Sequence, residues 1–175
     1  LAEDTALGPS NLGCSRTQCA ERVQAALSDV GLQALAEREV ETLSLGERKR
    51  ATLAGVLAMQ PQLLLPDEPT AGLDPQAERG VSDLLRAQRD SGKTLLIATH
   101  AVDLVPYFAT RVLLLAEGRV LADGSCRDVL TQTQLLARAH VRRPWPLELW
   151  ERALAARACP GLAAPLTLEE ILPHL

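Results

Sequence analysis

The most constraining feature of this chain is an apolar run, Leu63–Leu65, that leads through Pro66 into two adjacent carboxylates, Asp67 and Glu68. A short apolar run that ends in acids is typical of a buried parallel strand, which delivers those acids to its carboxyl end. Ligands of open α/β sheets bind at that end. The first carboxylate can hold Mg²⁺ through water, and the second can orient a water that attacks a phosphoryl group. Pro66 lacks an N–H, so it is unexpected within a strand.

Alternating helix and strand patterns surround this run. Asp74 followed by Pro75 is a strong helix start, and Ser15–Gln18 and Ser44–Glu47 are capping boxes that open two earlier helices. Residues 1–14 contain Gly, Pro and Asn and are predicted to form a loop. Further strands are predicted at Thr94–Thr99, Arg111–Ala116 and Arg119–Ala122. The alternation predicts an α/β fold with a mostly parallel, helix-covered sheet, followed by a helical tail that prolines interrupt.

Two further positions are candidate phosphate contacts. Ser44 caps a helix whose first N–H groups point toward the same place as its hydroxyl, and Gly46 keeps the backbone approachable. A helix N-terminus can hold an anion, although an ordinary capped helix gives the same pattern. His100 follows a predicted strand and can donate to a terminal phosphate, or its ring can simply be satisfied by the backbone. Asp74 is either an N-cap alone or an N-cap that also serves at a subunit interface.

The loop that should cradle the phosphates at such a site, G-x-x-x-x-G-K-[ST], is absent from the 175 residues. Ser91–Thr94 resembles the end of that loop, but it precedes a strand rather than a helix and is predicted to be a surface turn. The chain begins with Leu1 rather than Met. We therefore expect a processed, truncated or fragmentary chain.

Composition argues against several classes of function. A net charge of −4 and an aromatic content of 2% disfavour nucleic-acid binding. The basic runs Arg48–Arg50 and Arg142–Arg143 are short and are predicted to be solvated helix faces. No apolar run approaches the length of a membrane-spanning helix. Buried free thiols in a reducing compartment are the expected state of the cysteines, Cys14, Cys19, Cys126 and Cys159.

Taken together, these motifs resemble those of one family. Residues 43–47, Leu-Ser-Leu-Gly-Glu, resemble the signature motif of ATP-binding-cassette (ABC) ATPases. Residues 63–68 look like their Walker B strand, residues 71–74 like their D-loop, and His100 like their switch histidine. The motifs stand in the family's order and at its spacing.

The resemblance extends beyond these motifs. Residues 3–13 resemble the stretch after the Q-loop in energy-coupling-factor importer ATPases, and residues 135–144 resemble the tail of the cobalt/nickel subgroup. It implies the C-terminal portion of a P-loop NTPase of the ABC type. The implied ranges are a partial ABC ATPase domain at 1–124, with a helical subdomain at about 10–50 and a catalytic core lobe at about 51–124, and a helical extension at 125–175.

The resemblance also implies a role for each matching residue. Asp67 would hold Mg²⁺ through water, Glu68 would be the general base or orient the attacking water, and His100 would contact the γ-phosphate of ATP. Asp74 would communicate across a dimer of ATPase subunits. The signature residues that would close over the partner's ATP are Ser44, Leu45, Gly46 and Glu47. Leu45 replaces the common glycine, and Glu47 replaces the common glutamine and cannot donate while ionised.

The expected function is ATP binding and hydrolysis, with Mg²⁺, by a subunit of an importer for cobalt or nickel. ATP between two such subunits, identical or different, would drive their closure, and hydrolysis would reopen them and move an integral membrane partner. The subunit would be peripheral on the cytoplasmic face of the cell membrane and would not bind nucleic acid. Because the phosphate loop is absent, residues 1–175 alone are expected neither to bind ATP tightly nor to hydrolyse it.

Two alternatives stay open from the sequence. One is a different ABC-class ATPase, such as a lobe of a chromosome-structure ATPase, although the residues before Leu43 resemble a helical subdomain rather than a coiled coil. The other is a non-catalytic remnant or regulatory module that uses Ser44 and Asp74 only to complete a partner's site. Pro66, and Ala101 where an aspartate is usual, mildly favour this second alternative.

Overall fold

The computed structural model describes residues 1–155 and 164–172 of the chain, and Cys159 lies outside them. The chain divides into two compact units, Leu1–Ala98 and Thr99–Leu175. The first contains α1 (Ala2–Asn11), α2 (Arg16–Asp29), 3₁₀ turns at Gln33–Leu35 and Val40–Thr42, α3 (Leu45–Leu57), β1 (Leu63–Leu64), α4 (Pro75–Asp90) and β2 (Thr94–Leu95). The second contains α5 (Val105–Phe108), β3 (Arg111–Ala116), β4 (Arg119–Ser125), α6 (Cys126–Leu130), α7 (Thr133–Arg138), α8 (Trp145–Ala155) and α9 (Leu168–Ile171). The boundary between these two units lies after Ala98 rather than after residue 124. The domain ranges 1–124 and 125–175, which the family resemblance implies, stay predictions.

The first helix occupies a segment that was expected to be a loop, so that prediction is wrong. Helix α1 buries Thr5 and Pro9 on one side, and it packs on α2 and α3. At Gly8 the approach is so close that an added methyl group would lie 2.7 Å from Cγ of Met59. Glycine and proline therefore serve packing here rather than a turn, because tertiary contacts override weak local propensity.

Both predicted capping boxes are present. The hydroxyl of Ser15 accepts from the Gln18 N–H at 3.3 Å, and the side chain of Gln18 accepts from the Ser15 N–H at 2.8 Å. Ser44 and Glu47 repeat both bonds at the same distances, 3.3 and 2.8 Å. These bonds satisfy N–H groups that the first turn of a helix leaves without partners. The starts of α2 and α3 are thus fixed by local side-chain chemistry.

Strand β1 is buried on one side only. It pairs in parallel with β2, with Leu63 opposite Thr94 and Leu64 opposite Leu95. Leu64 is 3% exposed, whereas the leucines on either side of it are 50% and 64% exposed. The expectation of a fully buried run is therefore wrong, because successive side chains of a strand point to opposite faces. Among the described residues, the apolar core packs on the Leu64 face.

Pro66 is accommodated within the parallel pairing that continues beyond β1. Its carbonyl accepts from the Ala98 N–H at 3.1 Å, and Asp67 forms an isolated parallel bridge with Ala98. The missing N–H of proline therefore does not prevent the pairing from continuing. Regular strand geometry covers Thr94–Leu95 of the predicted strand Thr94–Thr99. Pairing continues to this bridge through the Leu96 N–H, which donates to the Leu64 carbonyl at 2.9 Å.

Aliphatic side chains form the core of each unit. The core of the first unit includes Val23, Leu27, Leu43, Ala54, Leu57, Leu64 and Leu84. In the second unit β3 and β4 pair antiparallel, with an irregularity between Leu114 and Leu115. Their core includes Val102, Leu114, Val129, Leu130 and Leu136. Helices α6 to α9 follow, in agreement with the helical tail expected from the sequence.

Candidate functional site

The chain turns sharply at Glu68, just beyond β1. Asp67 is exposed and Glu68 is half-buried. The φ angle of Glu68 is +45°, in the left-handed region that residues other than glycine rarely adopt. The Glu68 N–H donates to the Ala98 carbonyl at 2.9 Å. The Glu68 carbonyl accepts from the Ala71 N–H at 3.2 Å and from Nζ of Lys49 at 3.0 Å.

The turn beyond Glu68 leads directly into α4. Thr70 is buried, and Gly72 has a φ of +75° that glycine adopts without strain. One carboxylate oxygen of Asp74 accepts from the N–H groups of Gln76 and Ala77, both at 3.0 Å. Asp74 is therefore the N-cap that the sequence predicts.

Helices α3 and α4 begin side by side. A methyl group on Gly46 would lie 3.2 Å from Cβ of Ala77, in the first turn of α4. Both helix starts open on a cleft of about 770 Å³. The N–H groups of Leu45 and Gly46 lack an acceptor within their own helix, and helix N-termini favour negative charge. The predicted site residues that line this cleft are Ser44, Leu45, Gly46, Glu47 and Asp74.

Glu47 folds back onto its own helix. Its carboxylate accepts from the Ser44 N–H, and this bond is the largest cause that holds the pKa of Glu47 below its ordinary value of 4.5. The Ser44 hydroxyl and the positive charges of Arg50 and Arg38 lower the pKa further. Glu47 is therefore ionised near neutral pH and engaged as a cap.

The two acids lie on a different cavity of the same unit, of about 360 Å³. Asp67 and Glu68 line it together with Lys49 and the end of β1. Among the described residues, no group of three or more His, Cys, Asp or Glu side chains could hold a metal ion. Asp67 offers a carboxylate, which is the type of oxygen ligand that Mg²⁺ prefers.

His100 belongs to the second unit. Its side chain is exposed, and its carbonyl accepts from the Val102 N–H at 2.9 Å. Ser44, Gly46, Glu47 and Asp74 are thus gathered on one cleft and Asp67 and Glu68 on a second cavity of that unit, while His100 follows the unit boundary.

Two residues of the basic run on α3 form hydrogen bonds to backbone carbonyls of the same unit. Lys49 donates to the Glu68 carbonyl, and Nη1 of Arg50 donates to the Val30 carbonyl at 3.0 Å. The prediction of a solvated face is therefore wrong for these two residues. Helical spacing could have indicated these contacts. Lys49 and Arg50 each lie about one turn before a residue of the inward face, Leu53 and Ala54 respectively.

The chain is similar in sequence and in fold to known ABC transporter proteins. Residues 2–71 match the family model described as ABC transporter. An energy-coupling factor transporter ATP-binding protein, EcfA, of Methanosphaera stadtmanae is 37% identical over 152 residues, which are 87% of this chain and 55% of that protein. EcfA2 of Methanospirillum hungatei is 40% identical over 166 residues, 95% of this chain and 41% of that protein.

Among solved structures, cbiO1 from Clostridium perfringens, described as part of the ABC transporter complex cbiONQ, has a TM-score of 0.69 and 35% identity. The match covers 84% of this chain and 59% of that one. The chain spans about half the length of the curated relatives that it matches, from 46% to 55% for the first three.

The fold is therefore the α/β fold of P-loop NTPases, as the sequence predicts. More narrowly, it is the fold of an ABC transporter ATPase domain. Within the described residues, no helix combines the length and the apolar character needed to cross a membrane.

Proposed function

We propose that this chain supplies the signature, Walker B, D-loop and switch elements of an ATP-hydrolysing importer subunit. The observation that carries the proposal is the paired start of α3 and α4 on one cleft, which brings Ser44, Gly46 and Asp74 together. Asp67 and Glu68 lie in the same compact unit. Similarity to proteins named as energy-coupling factor ATP-binding proteins supports this assignment.

In this proposal the cleft receives the terminal phosphate of an ATP molecule held mainly by a second ATPase subunit, identical or different. The Ser44 hydroxyl and the N–H groups of Leu45 and Gly46 would donate to phosphate oxygens, and the two helix N-termini would stabilise the negative charge. Glu47 would keep its capping role, because its carboxylate already binds the Ser44 N–H. Asp74 would carry the contact across the dimer through the start of α4.

Hydrolysis would take place at the end of β1. Asp67 would hold Mg²⁺ through water, and the ion would neutralise charge on the phosphoryl oxygens. Glu68 would accept a proton from the attacking water or orient it, and His100 would hydrogen-bond the γ-phosphate. The half-buried setting of Glu68 supports its role, because a side chain that orients water needs a fixed position.

The importer, its ion and its location form the finer part of the proposal. The subunit would be peripheral on the cytoplasmic face of the cell membrane and would move an integral membrane subunit. Cobalt or nickel is proposed as the cargo because residues 135–144 resemble the tail of that subgroup. The similarity to cbiO1, part of the complex cbiONQ, supports a membrane-bound assembly.

Turnover of ATP by the complete protein tests the enzymatic proposal. Glu68→Gln is expected to abolish hydrolysis while ATP-dependent association of the subunits persists, since the change removes the base and keeps the shape. Hydrolysis by this variant at the wild-type rate would contradict the proposal. Purification in detergent tests the importer separately, and recovery of soluble partners alone would contradict it.

A further inference from the structure

The backbone at Glu68 needs support from its surroundings. A residue other than glycine with φ of +45° is held in a sparsely populated conformation, which persists only where neighbouring groups fix it. Two backbone bonds supply part of this support, from the Glu68 N–H to Ala98 and from the Ala71 N–H to the Glu68 carbonyl. Ala98 lies just beyond β2, and Ala71 lies in the turn that follows Glu68.

Lys49 supplies a third contact from a different element. Its Nζ donates to the Glu68 carbonyl at 3.0 Å across 19 residues of sequence. The side chain is half-buried and lines the same cavity as Asp67 and Glu68. Hydrogen bonds from a charged donor are stronger than neutral ones. This bond joins α3 to the Glu68 turn. It forms despite the entropy cost of fixing a long lysine side chain.

Lys49 also lies on the helix whose first turn faces the cleft. Ser44 caps α3, and Lys49 is five residues further along the same continuous helix. At a rise of about 1.5 Å per residue the two positions are separated by roughly 8 Å of a stiff rod. A displacement of the start of α3 therefore moves the donor that holds the Glu68 carbonyl.

We propose that Lys49 is a positioning residue that fixes the left-handed backbone at Glu68 and couples the signature end of α3 to that carboxylate. The inference rests on the proposed function, because it assigns Lys49 a role in the same hydrolysis. Lys49 touches neither phosphate nor water in this role. It acts through the Glu68 carbonyl, so it governs the hydrolytic step rather than the binding of ATP.

Steady-state ATP hydrolysis by the complete protein tests the role of Lys49. Lys49→Met removes the donor and is expected to lower kcat about tenfold or more, as loss of a charged hydrogen bond would, with KM for ATP within about twofold of wild type. Lys49→Arg keeps a charged donor and is expected to recover most of kcat. Arg48→Met removes the same charge from the adjacent, exposed position of α3 and is expected to match wild type.

A second substitution of Lys49 covers the case in which Lys49→Met does not fold. A Glu68→Gln control distinguishes failure of the Lys49 proposal from failure of the proposed function. Lys49→Ala removes the donor and favours the helix, so it replaces Lys49→Met if that protein does not fold. Unchanged kcat in these variants, an equal loss in Arg48→Met, a matching rise in KM, or no recovery with arginine would each overturn the role of Lys49. Glu68→Gln is assayed alongside, because hydrolysis that does not depend on Glu68 refutes the proposed function itself.

Discussion

Ser44 and Ser15 make the same pair of capping hydrogen bonds at the same distances. Variants at the two positions therefore distinguish the effect of losing a helix cap from the effect of losing a phosphate contact. Ser44→Ala and Ser15→Ala are each expected to lower the free energy of unfolding by about 1 kcal/mol. Only Ser44→Ala is expected to reduce ATP turnover, because the start of α3 lines the cleft and the start of α2 does not. Denaturant unfolding and phosphate release by the complete protein measure the two effects. Equal loss of turnover in both variants would contradict a role for Ser44 in phosphate binding.

Glu47 gives the capping box of α3 a pH dependence. Its pKa is lowered in the folded chain from an ordinary 4.5, so its stabilising effect is present above that value. The effect is lost as the pH falls through the lowered pKa. Glu47→Gln keeps an acceptor, as Gln18 does in the equivalent box, but does not titrate. We expect wild type to lose more unfolding free energy than Glu47→Gln when urea denaturation is compared at about pH 6 and about pH 3. Equal losses would contradict this assignment.

At the scale of elements, the close start of α3 and α4 depends on Gly46. A methyl group there would lie 3.2 Å from Cβ of Ala77, whereas one on Gly55, in the same helix, would have no neighbour within 4 Å. Gly55→Ala is therefore expected to stabilise the chain by about 0.5–1 kcal/mol. Gly46→Ala is expected to be less stable than Gly55→Ala, because α4 must shift.

Denaturant unfolding of the two glycine variants measures the difference in their free energies of unfolding. ATP turnover is then measured for the same variants of the complete protein. Gly46→Ala is also expected to lower turnover, since the added methyl group would crowd the two helix starts that line the cleft. If Gly46→Ala gains as much stability as Gly55→Ala and keeps its turnover, the close start of α3 and α4 does not depend on glycine at position 46.

Elements whose signals are local could be predicted from the sequence. The caps at Ser15, Ser44 and Asp74 depend on bonds between residues two or three positions apart. The features that sequence reasoning missed depend on distant partners. Helix α1 forms because it packs on α2 and α3, and Lys49 is held by a carbonyl 19 residues away. The spacing of residues along one helix or strand does not indicate which residues, distant in sequence, will pack against that element.

At the scale of the whole molecule, the motifs divide into two sets with different proposed partners. Ser44, Gly46 and Asp74 line a cleft that would serve ATP held by another subunit, whereas Asp67 and Glu68 lie on a separate cavity. One chain would therefore contribute to two nucleotide sites in a dimer, each incomplete without the other subunit. Lys49, on the helix that begins at the cleft and in contact with Glu68, would connect the two sites.

This division predicts the behaviour of residues 1–175 on their own. The 175 residues contain no G-x-x-x-x-G-K-[ST] loop, and the cleft would contact the phosphate of a partner's ATP. The isolated chain is therefore expected to release no phosphate from ATP in a manner that depends on Glu68, and to bind ATP only weakly. Preparations of wild type and Glu68→Gln, purified in parallel, separate real turnover from a contaminating ATPase. Hydrolysis by the wild-type chain that disappears in Glu68→Gln would show that these residues form a working site by themselves, because contaminants do not respond to that substitution.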